Sequence, residues 1–164
     1  MRRNRIPAFM FWQRIPDAVA LIKGSESYRG IHGEVKFYRM ARGVMVVAEV
    51  YGLPASREVC GNDIFAFHIH SGSSCSGTPD DPFSDTGTHL NRTDCPHPYH
   101  MGDMPPLFTS GGYAFLAFLS GRFTLGDIVG KVVIIHDRPD DFTTQPSGNA
   151  GNKIACGVIT PTRR

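Results

Sequence analysis

The alternation of apolar and polar residues along the chain predicts a protein made of short β-strands. Between residues 30 and 40, Val35 and Phe37 share one face while Glu34 and Lys36 share the other, which is typical of a half-buried strand. The predicted strands cover residues 17–23, 30–40, 44–51, 64–70, 113–119, 131–136 and 154–159. No stretch of useful length shows the period of a helix. The pattern therefore predicts an all-β fold, either an antiparallel sandwich or a barrel.

Two of the predicted connections are long. Residues 71–112 and 137–153 are rich in turn-forming residues, and no repeat or linker divides the chain. Loops of this length without secondary structure are usually functional or disordered. The chemistry of the protein is therefore expected in these loops and at the strand ends beside them.

Composition narrows the class of protein. At 164 residues, with 18 glycines, 12 prolines and a formal net charge of +2, the chain fits a single globular domain. The lack of an acidic or basic tail argues against a nucleic-acid partner. No apolar run approaches the ~20 residues that a membrane span needs, so no membrane partner is expected.

The first residues of the chain look faintly like a secretory signal. Three arginines precede the apolar residues 6–12, and residues 18–20 mimic a cleavage site. However, the apolar run is short and contains a proline, and cleavage there would remove half of the first predicted strand. We therefore expect an N-terminal extension over residues 1–16, a domain over residues 17–164, and a cytoplasmic location in preference to an extracytoplasmic one.

The chain has four cysteines, Cys60, Cys75, Cys95 and Cys156, and none has the CxxC spacing of a zinc ribbon. Four cysteines allow three pairings, among which the sequence does not choose. Structural disulfides would indicate an oxidising compartment, whereas four free thiols would suit a cytosolic protein. The residues alone leave both interpretations open.

A histidine-rich segment inside the first long loop is the strongest chemical signal. His89, His97, His100 and Asp103 follow one another at steps of eight, three and three. Proline and glycine between them favour a loop, which can wrap one ion because its side chains need not share a face. Imidazole and carboxylate suit a zinc-class ion, and four such ligands complete a tetrahedron. The alternative is a polar surface loop that happens to be rich in histidine.

The fourth predicted strand carries a second group of histidines. Because side chains alternate along a strand, His68 and His70 project together while Phe67 and Ile69 project into the core. Two imidazoles on one outer face make a chelating pair, and His136 lies at the end of another strand, at the rim. The alternative for each histidine is a polar side chain on a solvated face.

Together these motifs resemble the copper,zinc superoxide dismutase family. FHIH at residues 67–70 resembles its copper-binding strand, and HMGD at residues 100–103 resembles its H-x-G-D zinc motif. Further matches are HLN at residues 89–91, VIIH at 133–136, GNAG at 148–151 and ACGVI at 155–159. The resemblance covers roughly residues 17–160, and its motifs occur in the family's order.

The resemblance implies a fold and a set of metal ligands. The fold is an eight-stranded antiparallel Greek-key barrel with long metal-binding and electrostatic loops, and the family is itself a known example of the immunoglobulin-like sandwich architecture. The implied copper ligands are His68, His70, His89 and His136. The implied zinc ligands are His89, His97, His100 and Asp103. His89 would therefore bridge the two metals.

The resemblance also assigns roles outside the metal ligands. Asp140 matches an aspartate that hydrogen-bonds one ligand of each metal, which orients both rings. Cys75 and Cys156 match the family disulfide that ties the metal loop to the last strand. A second disulfide, between the extra cysteines Cys60 and Cys95, is a further expectation.

The chain departs from the family pattern in its loops. Lys153 stands where the family places its substrate-guiding arginine, and we expect it to face the substrate as a point charge. The spacing from His97 to His100 is short, and so is the electrostatic loop at residues 137–153. The change to Lys153 concerns substrate handling, whereas every metal-ligand position of the family is filled.

The activity that the resemblance implies is that of a superoxide dismutase, an oxidoreductase that converts two superoxide anions and two protons to oxygen and hydrogen peroxide. Redox cycling of a copper ion next to a structural zinc would supply the chemistry, with His89 carrying a proton and Lys153 guiding superoxide. A homodimer is compatible with the resemblance. Two alternatives stay open, a non-enzymatic copper- or zinc-binding protein on the same fold and a zinc hydrolase.

Overall fold

The computed structural model describes residues 14–162 except residues 57 and 59. The arginines and the apolar run of the signal-like segment, and most of the expected extension over residues 1–16, therefore lie outside the described residues, whereas residues 18–20 lie in the first strand. The boundary between this extension and the domain stays a prediction. Among the helices in the described part of the chain, none is long and apolar enough to cross a membrane.

In the part of the chain that the structure describes, nine antiparallel strands form a nearly closed barrel, which confirms the predicted all-β fold. The strands are β1 Ala18–Gly24, β2 His32–Met40, β3 Gly43–Tyr51, β4 Ile64–Phe65, β5 Phe67–His70, β6 Leu107–Ser110, β7 Tyr113–Ser120, β8 Val132–His136 and β9 Lys153–Pro161. Their order across the sheet is β4-β6-β7-β3-β2-β1-β9-β8-β5. Because β4 and β5 are parts of one stretch interrupted at Ala66, they count as one strand of the expected eight.

The barrel closes through this interrupted stretch. The Ala66 N–H donates to the Arg138 carbonyl at 2.8 Å, and the Ala66 carbonyl accepts from the His136 N–H at 2.9 Å. On one side of the stretch β4 pairs with β6, and on the other side β5 pairs with β8. The strand that carries the FHIH motif therefore lies at the point where the two ends of the sheet meet.

The barrel interior is filled by the apolar side chains that the alternation predicted. Val35 and Phe37 of β2 are fully buried, as are Phe67 and Ile69 of β5. Burying an apolar side chain of this size stabilises the fold by ~1.5–3 kcal/mol relative to exposure. The inward direction of the apolar residues of β5 fixes the opposite direction of its histidines.

In the described residues, four short elements lie outside the predicted strands: the 3-10 helices Glu26–Tyr28 and Ser84–Thr86, the strand β6 and one α-helix. β6 falls inside the predicted loop at residues 71–112, where four residues beside two prolines are too few to show an alternating pattern. The helix α1 (Leu125–Ile128) also has four residues, which is too short for a helical period. It begins after Thr124, whose N–H and hydroxyl both donate to the Asp127 carboxylate, at 2.9 and 2.7 Å.

A disulfide between Cys75 and Cys156 ties the loop after β5 to β9, as the resemblance implied. The expected second disulfide is not formed, because Cys60 and Cys95 are free cysteines in the described structure. Cys60 is exposed, whereas the Asn91 side chain holds both backbone polar groups of Cys95 at 2.8 and 3.2 Å. These bonds fix Cys95 inside a turn of its own loop.

We expect the Cys75→Ser variant to have a lower free energy of unfolding than the native chain. The two linked cysteines are 81 residues apart, and closing a loop of that length is worth about 4–5 kcal/mol on chain-entropy grounds, as an upper limit. Urea unfolding under non-reducing conditions measures the loss, and Cys60→Ser at the exposed thiol is the control. Equal losses in the two variants would contradict a stabilising role for the disulfide.

Candidate metal centre

Six histidines and two aspartates converge on one side of the barrel. Strands supply His68, His70 and His136, at the end of β5 and the end of β8. The long loop after β5 supplies His89, His97, His100 and Asp103, and the loop after β8 supplies Asp140. All eight side chains are buried. The rigid sheet and two loops therefore contribute to one site.

The loop after β5 folds back along the free edge of that strand. The Ile69 N–H donates to the Gly102 carbonyl at 2.9 Å, and a β-bridge joins His70 to His89. Glycine is needed at position 102, because a Cβ there would lie 2.1 Å from the Ile69 carbonyl oxygen. The loop covers His68 and His70, which are 0% and 3% exposed, so the predicted outer face is not solvated.

The first metal-binding group consists of four imidazoles, His68, His70, His89 and His136. One nitrogen of each lies within 4.8 Å of the others. His68 Nδ1 and the Nε2 atoms of the other three rings are buried and have no hydrogen-bond partner among the described residues. A buried polar atom left unsatisfied costs ~1–3 kcal/mol, so four of them in one place indicate a site for an ion.

Backbone carbonyls determine which ring nitrogen faces the first group. His70 Nδ1 lies 2.9 Å from the Gly87 carbonyl oxygen, and His136 Nδ1 lies 3.3 Å from that of Gly151. A carbonyl only accepts, so Nδ1 carries the hydrogen and Nε2 keeps its lone pair. Burial lowers the pKa of His70 well below its ordinary value and that of His136 to about 3. Both rings are therefore in the neutral form that binds metals.

The second group consists of His89, His97, His100 and Asp103. The carboxylate oxygens of Asp103 lie 2.7 Å from His89 Nδ1, 3.1 Å from His97 Nδ1 and 3.4 Å from His100 Nδ1. The Nδ1 atoms of His89 and His100 are 3.4 Å apart. Four donors around a tetrahedral zinc with bonds of ~2.0–2.1 Å would be ~3.3 Å apart. The three nitrogens and the carboxylate therefore fit zinc in kind, and the two 3.4 Å separations that involve His100 Nδ1 are close to the tetrahedral spacing.

His89 belongs to both groups. Its Nδ1 faces Asp103 in the second group, while its Nε2 is one of the unpartnered nitrogens of the first. The ring centroids of His89 and His68 are 4.0 Å apart. A neutral imidazole has one lone pair on its ring nitrogens, so a ring that binds an ion at each nitrogen must lose its proton.

Asp140 joins the two groups from outside. Its carboxylate oxygens lie 2.7 Å from His68 Nε2 and 2.8 Å from His97 Nε2, and one of them accepts from the Phe142 N–H at 2.7 Å. Burial by itself raises the pKa of Asp140, but these hydrogen bonds outweigh burial and lower it to about 2. The carboxylate only accepts, so both rings donate from Nε2 and keep the Nδ1 lone pair for the metal-binding groups.

Lys153 lines a cleft of about 370 Å³ that is also lined by His70 and His136. Its Nζ donates to the Phe83 carbonyl at 2.9 Å and lies 3.3 Å from Asp81 Oδ2. The cation that the sequence singled out is therefore beside the first group. The carboxylate paired with it was not predicted, because nothing in the spacing of the two residues connects them.

Two further residues hold the loop that carries the second group. The side-chain amide of Gln145 bonds to both backbone polar groups of His97. Arg122 Nη1 donates to the Pro98 carbonyl at 2.8 Å and to the His100 carbonyl at 3.3 Å. Sequence reasoning missed both residues, since neither belongs to a motif and each acts on a loop distant in sequence.

Comparison with known proteins gives a consistent result. The family model described as Copper/zinc superoxide dismutase (SODC) matches residues 31–159. A superoxide dismutase (Cu-Zn) of Caulobacter vibrioides is 30% identical over 159 residues, which cover 87% of this chain and 84% of that protein. Superoxide dismutase (Cu-Zn) 2 of Aquifex aeolicus is 30% identical over 142 residues, covering 77% and 78%. Superoxide dismutase (Cu-Zn) A of Xenopus laevis is 29% identical over 159 residues, covering 87% and 95%.

We expect the metal-free protein to lose stability as the pH falls from about 6.5 towards 3. Burial lowers the pKa values of His68, His70, His100 and His136 in the folded chain. In the unfolded chain a histidine titrates near ~6.5, so below that pH the unfolded chain binds more protons and the free energy of unfolding falls. Asp140, whose folded pKa is about 2, adds a loss only below the ~3.9 of an unfolded aspartate.

Urea unfolding of the metal-free protein between pH 7 and pH 4 measures this loss. The His136→Asn variant should show a shallower decline, because one buried imidazole has been removed. His32→Asn, at an exposed histidine of β2, is the control and should keep the native slope. A native protein equally stable at pH 7 and pH 4 would rule out the effect.

Proposed function

The chain belongs to the copper/zinc superoxide dismutase family, and from this premise we propose that it is itself a superoxide dismutase. The reaction takes two superoxide anions and two protons to oxygen and hydrogen peroxide. The observation that carries the proposal is the set of four buried, unpartnered imidazole nitrogens beside an open cleft. Imidazole ligands suit copper, and the cleft gives a small anion access to them.

The donor atoms divide between two ions. Copper would be held by His68 Nδ1 and by Nε2 of His70, His89 and His136. Zinc would be held by Nδ1 of His89, His97 and His100 and by the Asp103 carboxylate. The unpartnered nitrogens of the first group and the near-tetrahedral spacing of the second support this division. When bound, copper supplies the one-electron chemistry, and zinc contributes structure.

His89 is the residue that we propose to move a proton. Its Nδ1 is held on the side of Asp103 at 2.7 Å, so Nε2 would take up and release the proton whenever its lone pair does not hold copper. His89 also lines the cleft, so the proton is delivered where the substrate enters. Peroxide needs two protons, and the second comes from solvent.

We propose that Asp140 orients metal ligands and that Lys153 attracts the substrate. Asp140 orients His68 and His97 through bonds of 2.7 and 2.8 Å, and so acts on one ligand of each metal. Lys153 attracts the anion into the cleft, while Asp81 at 3.3 Å offsets part of its charge. An enzymatic domain over residues 17–164 and a homodimer remain proposals from the family resemblance.

The His89→Ala variant should lose both metals and nearly all activity. A ligand shared by two ions should matter at least as much as an outer hydrogen-bonding partner, whose loss typically costs 10–100-fold in affinity or activity. The measurements are copper and zinc content per chain and the rate of superoxide dismutation after loading with both metals. His32→Ala is the control at a surface histidine.

Three outcomes would count against the proposal. A native protein that binds both metals without dismutating superoxide would be a non-enzymatic metal-binding protein. One ion per fully loaded chain would contradict the two-site assignment. A His89→Ala variant that keeps either metal at native affinity would contradict the shared ligand.

For Lys153, we expect substitution to lower kcat/KM and weaken its dependence on salt. Superoxide dismutase is a standard example of electrostatic steering, which in general raises association rates by about 10–10³-fold. Because Asp81 offsets part of the charge of Lys153, we expect an effect at the low end of that range. Lys153→Ala should therefore lose up to about tenfold at low ionic strength. Lys153→Arg should keep the native salt dependence because it keeps the charge.

The Asp81→Asn variant tests the same pair from its other side. Removing the carboxylate frees the charge of Lys153, so kcat/KM at low ionic strength should rise. Each variant is assayed with both metals bound, over a series of salt concentrations. If Lys153→Ala keeps full activity and the native salt dependence, Lys153 does not guide the substrate.

A further inference from the structure

His97 is the one metal-ligand candidate that lies between two prolines. Pro96 and Pro98 have no N–H groups, so this part of the loop cannot pair with a neighbouring chain as a strand does. His68 and His70, by contrast, lie within the ladder of β5 and β8, and His136 lies within the ladder of β8 and β9. The peptide that carries His97 therefore needs another support.

The side chain of Gln145 supplies that support. Its Oε1 accepts from the His97 N–H at 3.0 Å, and its Nε2 donates to the His97 carbonyl at 2.8 Å. The two bonds reproduce the pattern that a paired β-strand residue would offer. A single side chain thus satisfies both backbone polar groups of a buried ligand residue.

Gln145 lies on a turn that is fixed by its own hydrogen bonds. The Gly148 N–H donates to the Thr144 carbonyl at 2.7 Å, and the Asp141 N–H donates to the Gly148 carbonyl at 2.9 Å. The Asp141 carboxylate also accepts from the Thr144 N–H at 2.8 Å. This turn directly follows Asp140, so one short segment holds both the ring and the peptide of His97.

We propose that Gln145 is a positioning residue for the zinc half of the site. It fixes the peptide of His97, while Asp140 fixes the direction of the ring. The inference rests on the proposed function for the identity of the metal. Copper binding should depend on Gln145 much less, because the ring of His68 is carried by a strand.

The test compares zinc affinity in Gln145→Ala, Gln145→Glu and the native full-length chain, each stripped of metal and titrated against a chelator. Two hydrogen bonds of ordinary strength are lost in Gln145→Ala, so zinc should bind about fivefold to 100-fold more weakly. Gln145→Glu keeps an acceptor for the His97 N–H but lacks the donor, and should fall between the two. Thr143→Ala, an exposed residue of the same turn, is the matched control.

Two further readouts separate positioning from general stabilisation. Cobalt bound in the zinc group should give an altered visible spectrum in Gln145→Ala, because the geometry of one donor has changed. Copper affinity should stay within about twofold of native in the same variant. A twofold change is smaller than the change in affinity that the loss of one ordinary hydrogen bond would cause. Should Gln145→Ala fail to fold, Gln145→Glu carries the comparison.

The outcomes distinguish this inference from the proposed function. A native chain that binds no zinc would overturn the proposed function itself. A native chain that binds zinc, with Gln145→Ala equal to it in affinity and in cobalt spectrum, would overturn the role of Gln145. Equal weakening of zinc and copper would also overturn it, since the residue would then act on the fold as a whole.

Discussion

The arrangement of both histidine groups depends on one buried carboxylate. Asp140 binds a ring that belongs to β5 and a ring that belongs to a loop, through contacts of 2.7 and 2.8 Å. It thereby fixes the position of a loop ligand relative to the barrel. The backbone leaves room for this contact only at a glycine, because a Cβ on Gly148 would lie 1.9 Å from Asp140 Oδ1 and 2.7 Å from His97 Nε2.

The barrel and the loops contribute differently to the site. The pairing of β5 with β8 sets His68 and His70, and the pairing of β8 with β9 sets His136, so their positions follow from the register of the sheet. The remaining donors are on a loop, whose backbone has to be held by other means. The means are the Cys75–Cys156 disulfide, the close approach at Gly102 and the side chains of Gln145 and Arg122. The centre therefore combines ligands fixed by the sheet with ligands on a loop that is held by these separate contacts.

Features of the site that depend on neighbouring residues could be predicted from the sequence, whereas features that depend on residues distant in sequence could not. The direction of His68 and His70 could be predicted, because alternation along a strand is a property of neighbouring residues. The burial of these two rings was not predicted, since it depends on a loop that folds back onto the strand edge. The ligand set came from the family resemblance, while spacing alone indicated only a zinc-type loop. Gln145, Arg122 and Asp81 act across long sequence separations, which no local pattern reveals.

The metal-binding groups destabilise the metal-free fold, which explains why several contacts hold the loops in place. Five of the six buried side-chain atoms without a partner in the described part of the chain are histidine nitrogens of these groups. Each is destabilising by ~1–3 kcal/mol until something occupies its lone pair. An ion relieves this penalty, so metal binding and the ordering of the loops favour each other. Before an ion arrives, the lone pairs can converge only if contacts that do not involve metal hold the loops in place. The disulfide, the Asp140 carboxylate and the Gln145 amide provide such contacts.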